Sequence, residues 1–239
     1  MAVKNIAVFE KEFDVSYEIV NANAKQDIVF LHGWGSNKQI MKNAFEHCLE
    51  EFRHIYIDMP GFGKTSNSYI LHTNDYALIV EKLLYAIKSE PVAIVGHSYG
   101  GKVATLLKPK NLVLLSSAGI VEKKSLDVKL KIFLAKIFNK LGFLKLTKIF
   151  RSKDVDSMSE NMYETFKNVV NEDFSKQFSN FPNNALIFWG EEDKATSLES
   201  GKKISQLIKK SKFKSYKADH FFFCIHAEDI AKEIKNGIL

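Results

Sequence analysis

The chain has 239 residues, 46% hydrophobic and 26% charged, with a formal net charge of +6. That balance fits one soluble globular domain with a sizeable core and excludes a disordered chain. Two cysteines without metal-ligand spacing argue against a disulfide framework or a zinc site. No apolar run approaches the roughly 20 residues that span a bilayer, and the first residues lack a secretory h-region. A cytoplasmic protein with no stable membrane insertion is the expectation.

Period and punctuation predict strands at Ile6–Phe9, Phe13–Val20, Asp27–His32, His54–Asp58, Val92–His97, Leu112–Ser116, Ala185–Trp189 and Phe213–Ala218. Helices are predicted at Lys38–Glu51, Asn74–Lys88, Ser98–Leu107, Leu198–Lys210 and Ala227–Lys235. The first two strands would pair as a hairpin, and strand–helix alternation makes the rest a mostly parallel sheet. The segment Gly61-Phe62-Gly63-Lys64-Thr65 ends like a phosphate-binding P-loop. The full pattern needs glycine at 58, where the chain has Asp58, so phosphate binding is not expected.

The pentapeptide Gly96-His97-Ser98-Tyr99-Gly100, followed by Gly101, stands directly after the apolar run Pro91–Val95. A nucleophilic serine exposed on a strand-to-helix turn needs that placement, and small flanking residues permit the tight bend. Further along, the acidic loop Glu191-Glu192-Asp193 follows one strand, and Asp219-His220 follows another. Serine, acid and histidine thus appear in that order, each at the carboxyl end of a strand, where open parallel sheets carry their sites. Serine needs a base to withdraw its proton and the base needs a carboxylate to hold its other nitrogen.

Together with Leu31-His32-Gly33-Trp34-Gly35, Asp58-Met59-Pro60-Gly61-Phe62-Gly63 and Trp189-Gly190, these motifs resemble the α/β-hydrolase superfamily over nearly the whole chain. The resemblance implies an α/β fold with an eight-stranded, mostly parallel sheet flanked by helices and an inserted helical lid. It implies Ser98 as nucleophile, Asp193 as acid and His220 as base, with the backbone N–H groups of Trp34 and Tyr99 donating to the oxyanion. Such donors are each worth roughly 3 to 4 kcal/mol of barrier. The side chains of Trp34 and Tyr99, with Phe221 beside the base, are candidates to line the substrate pocket. Among the alternatives, Asp219 would point away from the base along an extended chain, and Glu191 and Glu192 read as solvated loop charges. His32 and His97 read as structural members of Gly-rich loops, and His226 as the start of the last helix.

The core would comprise residues 1–118 and 183–239, with residues 119–182 as the lid. Within it Leu130, Phe133, Leu134, Ile137, Phe138, Leu141 and Leu144 recur at helical spacing. From Glu122 to Lys153, ten lysines and arginines face only Glu122 and Asp127. Three readings stand for this segment: a core-packing stripe with solvated lysines, a pocket wall whose basic rim attracts an acidic acyl carrier, or a membrane-surface face. No motif supports nucleic-acid binding.

Serine rather than aspartate at the nucleophile position argues against haloalkane dehalogenases and epoxide hydrolases. The expectation is a serine hydrolase needing no cofactor or metal, cleaving a small to medium carboxylic ester or thioester through an acyl-enzyme. The first loop, Leu31 to Asn37, resembles the biotin-pathway esterases that act on pimeloyl-carrier-protein esters. Carbon–carbon bond hydrolases of dienoates usually have Asn before the serine and often Trp after the base; here these are His97 and Phe221. That activity, and a non-catalytic ligand-binding role, are the alternatives.

Overall fold

The computed structural model describes residues 1–121 and 158–238. Its eight strands are β1 (Ala2–Val8), β2 (Lys11–Val20), β3 (Asp27–Leu31), β4 (Arg53–Ile57), β5 (Pro91–His97), β6 (Asn111–Leu115), β7 (Asn184–Gly190) and β8 (Ser211–Tyr216). They form one sheet in the order β1-β2-β4-β3-β5-β6-β7-β8. The β1–β2 and β2–β4 pairs are antiparallel and every other pair is parallel. The described helices are α1 (Lys38–Phe45), α2 (Thr73–Ala86), α3 (Tyr99–Leu106), α4 (Glu160–Val170), α5 (Ser175–Ser179), α6 (Leu198–Leu207) and α7 (Ala227–Ile238).

Alternation along the strands sorts the core into two layers. Val29, Leu31, Ile94, Leu112 and Leu114 pack with α2, α3 and α6 on one face. Ile28, Phe30, Ala93, Val95, Val113 and Leu115 pack with α1 and α7 on the other. The helices earn their faces by spacing: in α7 Ile230, Ala231 and Ile234 are buried while Lys232 and Lys235 face outward.

The strand set matches the sequence expectation, with differences at the ends. Phe9 leaves β1 because it forms the two-residue hairpin turn with Glu10, both at positive φ (48° and 63°). Helix α1 stops at Phe45 rather than Glu51; the chain turns through Leu49, at φ 55°. Likewise α2 ends at Ala86, two residues before Lys88 at φ 53°. Strand β8 starts and ends two residues early: Tyr216 pairs with Gly190, and Ala218 N–H then turns back to the Tyr216 carbonyl. Asp219 and His220 consequently sit on a loop.

Of residues 119–182, the described part includes α4 and α5. Helix α4 is fastened to the core by hydrogen bonds from Leu71 N–H to Thr165 Oγ1 (3.0 Å) and from Asn161 Nδ2 to Asn67 O (2.9 Å). The apolar stripe from Leu130 to Leu144 and the basic run lie outside the described residues. Among the described residues no helix is long and apolar enough to cross a membrane.

Candidate active site

The turn between β5 and α3 places Ser98 at φ 51° and ψ −116°, backbone strain of roughly 1–3 kcal/mol for a residue with a Cβ. Surrounding close packing fixes it there. A Cβ on Gly96 would lie 2.4 Å from the Gly100 carbonyl oxygen, and one on Gly100 would lie 2.5 Å from that of Leu31. Only glycine lets α3 sit this near β3. The same packing brings the Ser98 Cβ within 3.1 Å of where a Cβ on Gly33 would be, so the serine abuts the loop after β3.

At the ends of β7 and β8 the sequence-predicted acid and base meet: Asp193 Oδ2 accepts from His220 Nδ1 at 2.6 Å. Oδ1 accepts from the backbone N–H groups of Ala195 (2.8 Å) and Thr196 (2.9 Å), and the Thr196 hydroxyl lies 2.9 Å from Oδ2. Burial alone would raise this carboxyl's pKa, but the bonds from His220 and Thr196 outweigh it and hold Asp193 down at about 2. An ionised carboxylate only accepts, so Nδ1 of His220 carries a proton, which in the neutral ring is the tautomer that leaves the Nε2 lone pair a general base requires.

The other acidic candidates are elsewhere. Asp219 is exposed and accepts from Phe221 N–H, Glu191 bonds to Ser215 on the surface, and Glu192 is exposed. Beside the candidate base, His97 donates from Nε2 to the His220 carbonyl at 3.1 Å, and the two imidazoles pack 4.6 Å apart. This ties the residue before Ser98 to the loop that carries His220. Burial pushes His97 down to a pKa of about 3, so it stays neutral. His226 stacks on Tyr216, consistent with a packing role.

Trp34 and Tyr99 flank Ser98 with their rings 5.4 Å apart. Tyr99 opens α3, so its N–H belongs to the first-turn amides that lack an intrahelical acceptor. The Trp34 amide is aimed indirectly through His32. Met59 N–H can only donate, so its 3.1 Å bond makes His32 Nε2 the acceptor and leaves Nδ1–H to donate to Gly33 O at 2.8 Å. Holding the Gly33 carbonyl fixes the planar peptide and turns the Trp34 N–H to the opposite side. Burial lowers the His32 pKa to about 4, which preserves this neutral tautomer.

A buried ion pair supports the neighbouring loop. Asp58 accepts from Lys38 Nζ (2.5 Å), Lys38 N–H (2.7 Å) and Lys64 N–H (3.0 Å). The position that disqualifies a P-loop is therefore a structural hub.

A cavity of about 400 Å³ opens beside Ser98, walled by Trp34, Tyr99, Lys102, Phe166 and Glu172, with Thr196 at the acid's side. Phe221 is not part of this wall; it is 43% exposed and packs against His97, His220 and Phe223, whereas Phe222 and Phe223 belong to the core. Lys102, Glu172 and the supporting Thr196 were not among the predicted site residues. Lys102 was legible as the residue one helical turn beyond Ser98, but nothing local announces Glu172. Among the described residues no cluster of three or more His, Cys, Asp or Glu side chains is arranged to hold a metal.

Comparison with known proteins agrees with this architecture. The chain is 24% identical over 224 residues to the uncharacterized hydrolase YugF of Bacillus subtilis, covering 80% of this chain and 81% of that protein. It is 37% identical over 79 residues to a pimeloyl-[acyl-carrier protein] methyl ester esterase of Vibrio campbellii, a match spanning 33% of this chain and 30% of the relative. In fold it is similar to the esterase EaEST of Exiguobacterium antarcticum, with a TM-score of 0.76 at 20% identity over 100% of this chain and 99% of that one. A hydrolase from Pseudomonas aeruginosa gives 0.77 at 17% identity, covering 99% and 98%. The sequence model of the α/β hydrolase fold family matches residues 28–154, more than half of the chain, and the protein belongs to that family.

Proposed function

We propose that this protein is a serine hydrolase that cleaves a small to medium carboxylic ester or thioester through an acyl-enzyme. The observation that carries this reading is the 2.6 Å pairing of His220 with a buried, ionised Asp193, next to a strained serine turn. Ser98 Oγ attacks the carbonyl carbon while His220 Nε2 takes its proton. The developing oxyanion accepts from the Trp34 and Tyr99 amides, and the leaving alcohol or thiol departs with the proton from His220. Water then repeats the sequence on the acyl-enzyme. Esterases among the similar proteins support the bond type, and the cavity volume supports an acyl group of modest size. The basic run from residue 122 to 153 suits an acidic acyl carrier as the substrate's bearer.

The test is steady-state hydrolysis of p-nitrophenyl esters from acetate to laurate by the wild type and Ser98→Ala. Turnover should fall at least about 10³-fold in the variant, with unchanged circular dichroism. Retained turnover in a folded Ser98→Ala protein would remove Ser98 as nucleophile.

A further inference from the structure

The cavity has a polar floor that the proposed mechanism does not use. Lys102, in the first turn of α3 after its N-cap Ser98, is only 1% exposed. Its ammonium donates to the Val169 carbonyl at the end of α4 (2.6 Å), pairs with Glu172 Oε2 (3.3 Å) and lies 4.8 Å from the centre of the Phe174 ring. Enclosed by a carbonyl, a carboxylate and an aromatic face, and 1% exposed, this ammonium is committed to the protein rather than presented to a ligand. Burial lowers the Lys102 pKa, and Glu172 opposes that shift.

Glu172 is placed differently. Its side chain keeps 28% of its surface exposed on the cavity wall. On the protein side it accepts from the Thr73 hydroxyl as well as from Lys102, and Tyr99 Oη stands 3.5 Å from Thr73 Oγ1. A hydrogen-bonded line therefore runs from Tyr99, beside the nucleophile, to a carboxylate that faces the cavity. Because Lys102 already balances its charge, Glu172 presents acceptor oxygens without an excess of negative charge that would call for a cation.

We propose that Glu172 is a specificity-determining residue that reads a hydroxyl at the far end of the ester held in this cavity, so the preferred substrates are hydroxylated rather than plain alkyl esters. The inference rests on the ester-hydrolase reading for the identity of the bond, while the hydroxyl preference follows from the cavity floor. An ionised terminal carboxylate carries no donor and would set acceptor against acceptor at Glu172, so it is rejected.

The experiment compares p-nitrophenyl hexanoate with the 6-hydroxyhexanoate, octanoate with the 8-hydroxyoctanoate, and the mono-ester of adipate. A hydrogen bond to a charged acceptor predicts about tenfold higher kcat/KM for the hydroxy ester at one chain length or both, with adipate poorest. Glu172→Leu should erase the hydroxyl preference. Since that change strands a buried ammonium, Lys102→Met/Glu172→Leu is made alongside it to keep an apolar, foldable floor, and it too should erase the preference. Calorimetric binding of each ester to Ser98→Ala reads the same selectivity without chemistry. If nothing turns over yet Ser98→Ala binds hydroxy esters selectively, the ester-hydrolase reading fails and the role of Glu172 stands. Equal kcat/KM and equal affinity within both pairs, a preference for the carboxylate, or a hydroxyl preference that persists in the double variant overturns the proposal.

Discussion

Mild acid should destabilise this protein well before its carboxylates titrate. His32 and His97 are buried and neutral in the folded chain, with pKa values of about 4 and about 3 against 6.5 unfolded, burial being the main cause for each. A base whose folded pKa is depressed contributes stability that is complete above the unfolded value and is lost as pH falls from 6.5 toward the folded value. Between those limits the unfolded chain binds one proton more per histidine, a slope of about 1.4 kcal/mol per pH unit each. From pH 7 to pH 5 the two together remove about 4 kcal/mol, a large share of a typical 5–15 kcal/mol. His54, bonded to Leu49 O and Tyr56 Oη and also depressed by burial, acts in the same direction. Asp193 does not enter this window, because its stabilisation fades only as pH falls from 3.8 toward about 2. Urea unfolding at pH 7, 6 and 5, followed by tryptophan fluorescence, measures the slope. An unfolding free energy at pH 5 within about 1 kcal/mol of that at pH 7 would refute the burial argument.

Four substitutions probe three separate parts of the site. Asp193→Asn removes the acceptor that fixes the His220 tautomer, so kcat should fall about 10⁴-fold with little change in KM; a loss under tenfold would separate Asp193 from the base. In Gly100→Ala the new Cβ meets the carbonyl oxygens of Leu31 and His32 at 2.5 and 2.6 Å, forcing α3 away from β3. A stability loss of about 1–3 kcal/mol and a drop in kcat are expected, and wild-type values for both would show the contact to be soft. Asp58→Leu strands the Lys38 ammonium and two backbone amides and should cost about 3–5 kcal/mol in urea unfolding. Lys38→Met leaves Asp58 its two amide donors and should cost less; the reverse order would contradict the hub role.

Much of this could be read from the sequence because the signals are local. Gly96 to Gly101 after an apolar run gives the serine turn, and alternating or continuous apolar runs give all eight strands. Chain order put the acidic loop Glu191-Glu192-Asp193 and Asp219-His220 after strands of one parallel sheet, and the family resemblance singled out Asp193 and His220. Element ends were less legible. The hairpin turn at Phe9-Glu10 holds two left-handed residues with no Asn or Gly to announce it, and α1 ends at a leucine turn rather than at a glycine. The cavity floor was hidden for another reason: Glu172 lies 70 positions beyond Lys102, and only the docking of α4 against α3 brings them together. Phe221, next to His220 along the chain, packs against His97, His220 and Phe223 and is not among the residues that wall the cavity.

The sheet order gives the site an uneven foundation. The serine turn and the amides of Trp34 and Tyr99 stand on β3 and β5, central strands flanked on both sides, whereas the histidine follows β8, which has one neighbour and an open edge. Edge elements open at lower free energy than central ones. Partial fraying at that margin would carry His220 away while leaving Ser98 and the amides of Trp34 and Tyr99 assembled, so on the proposed mechanism the chain would be folded by most spectroscopic criteria and chemically silent. On the proposed mechanism, one of the sheet's two edge strands thereby sets the working limit of the whole domain.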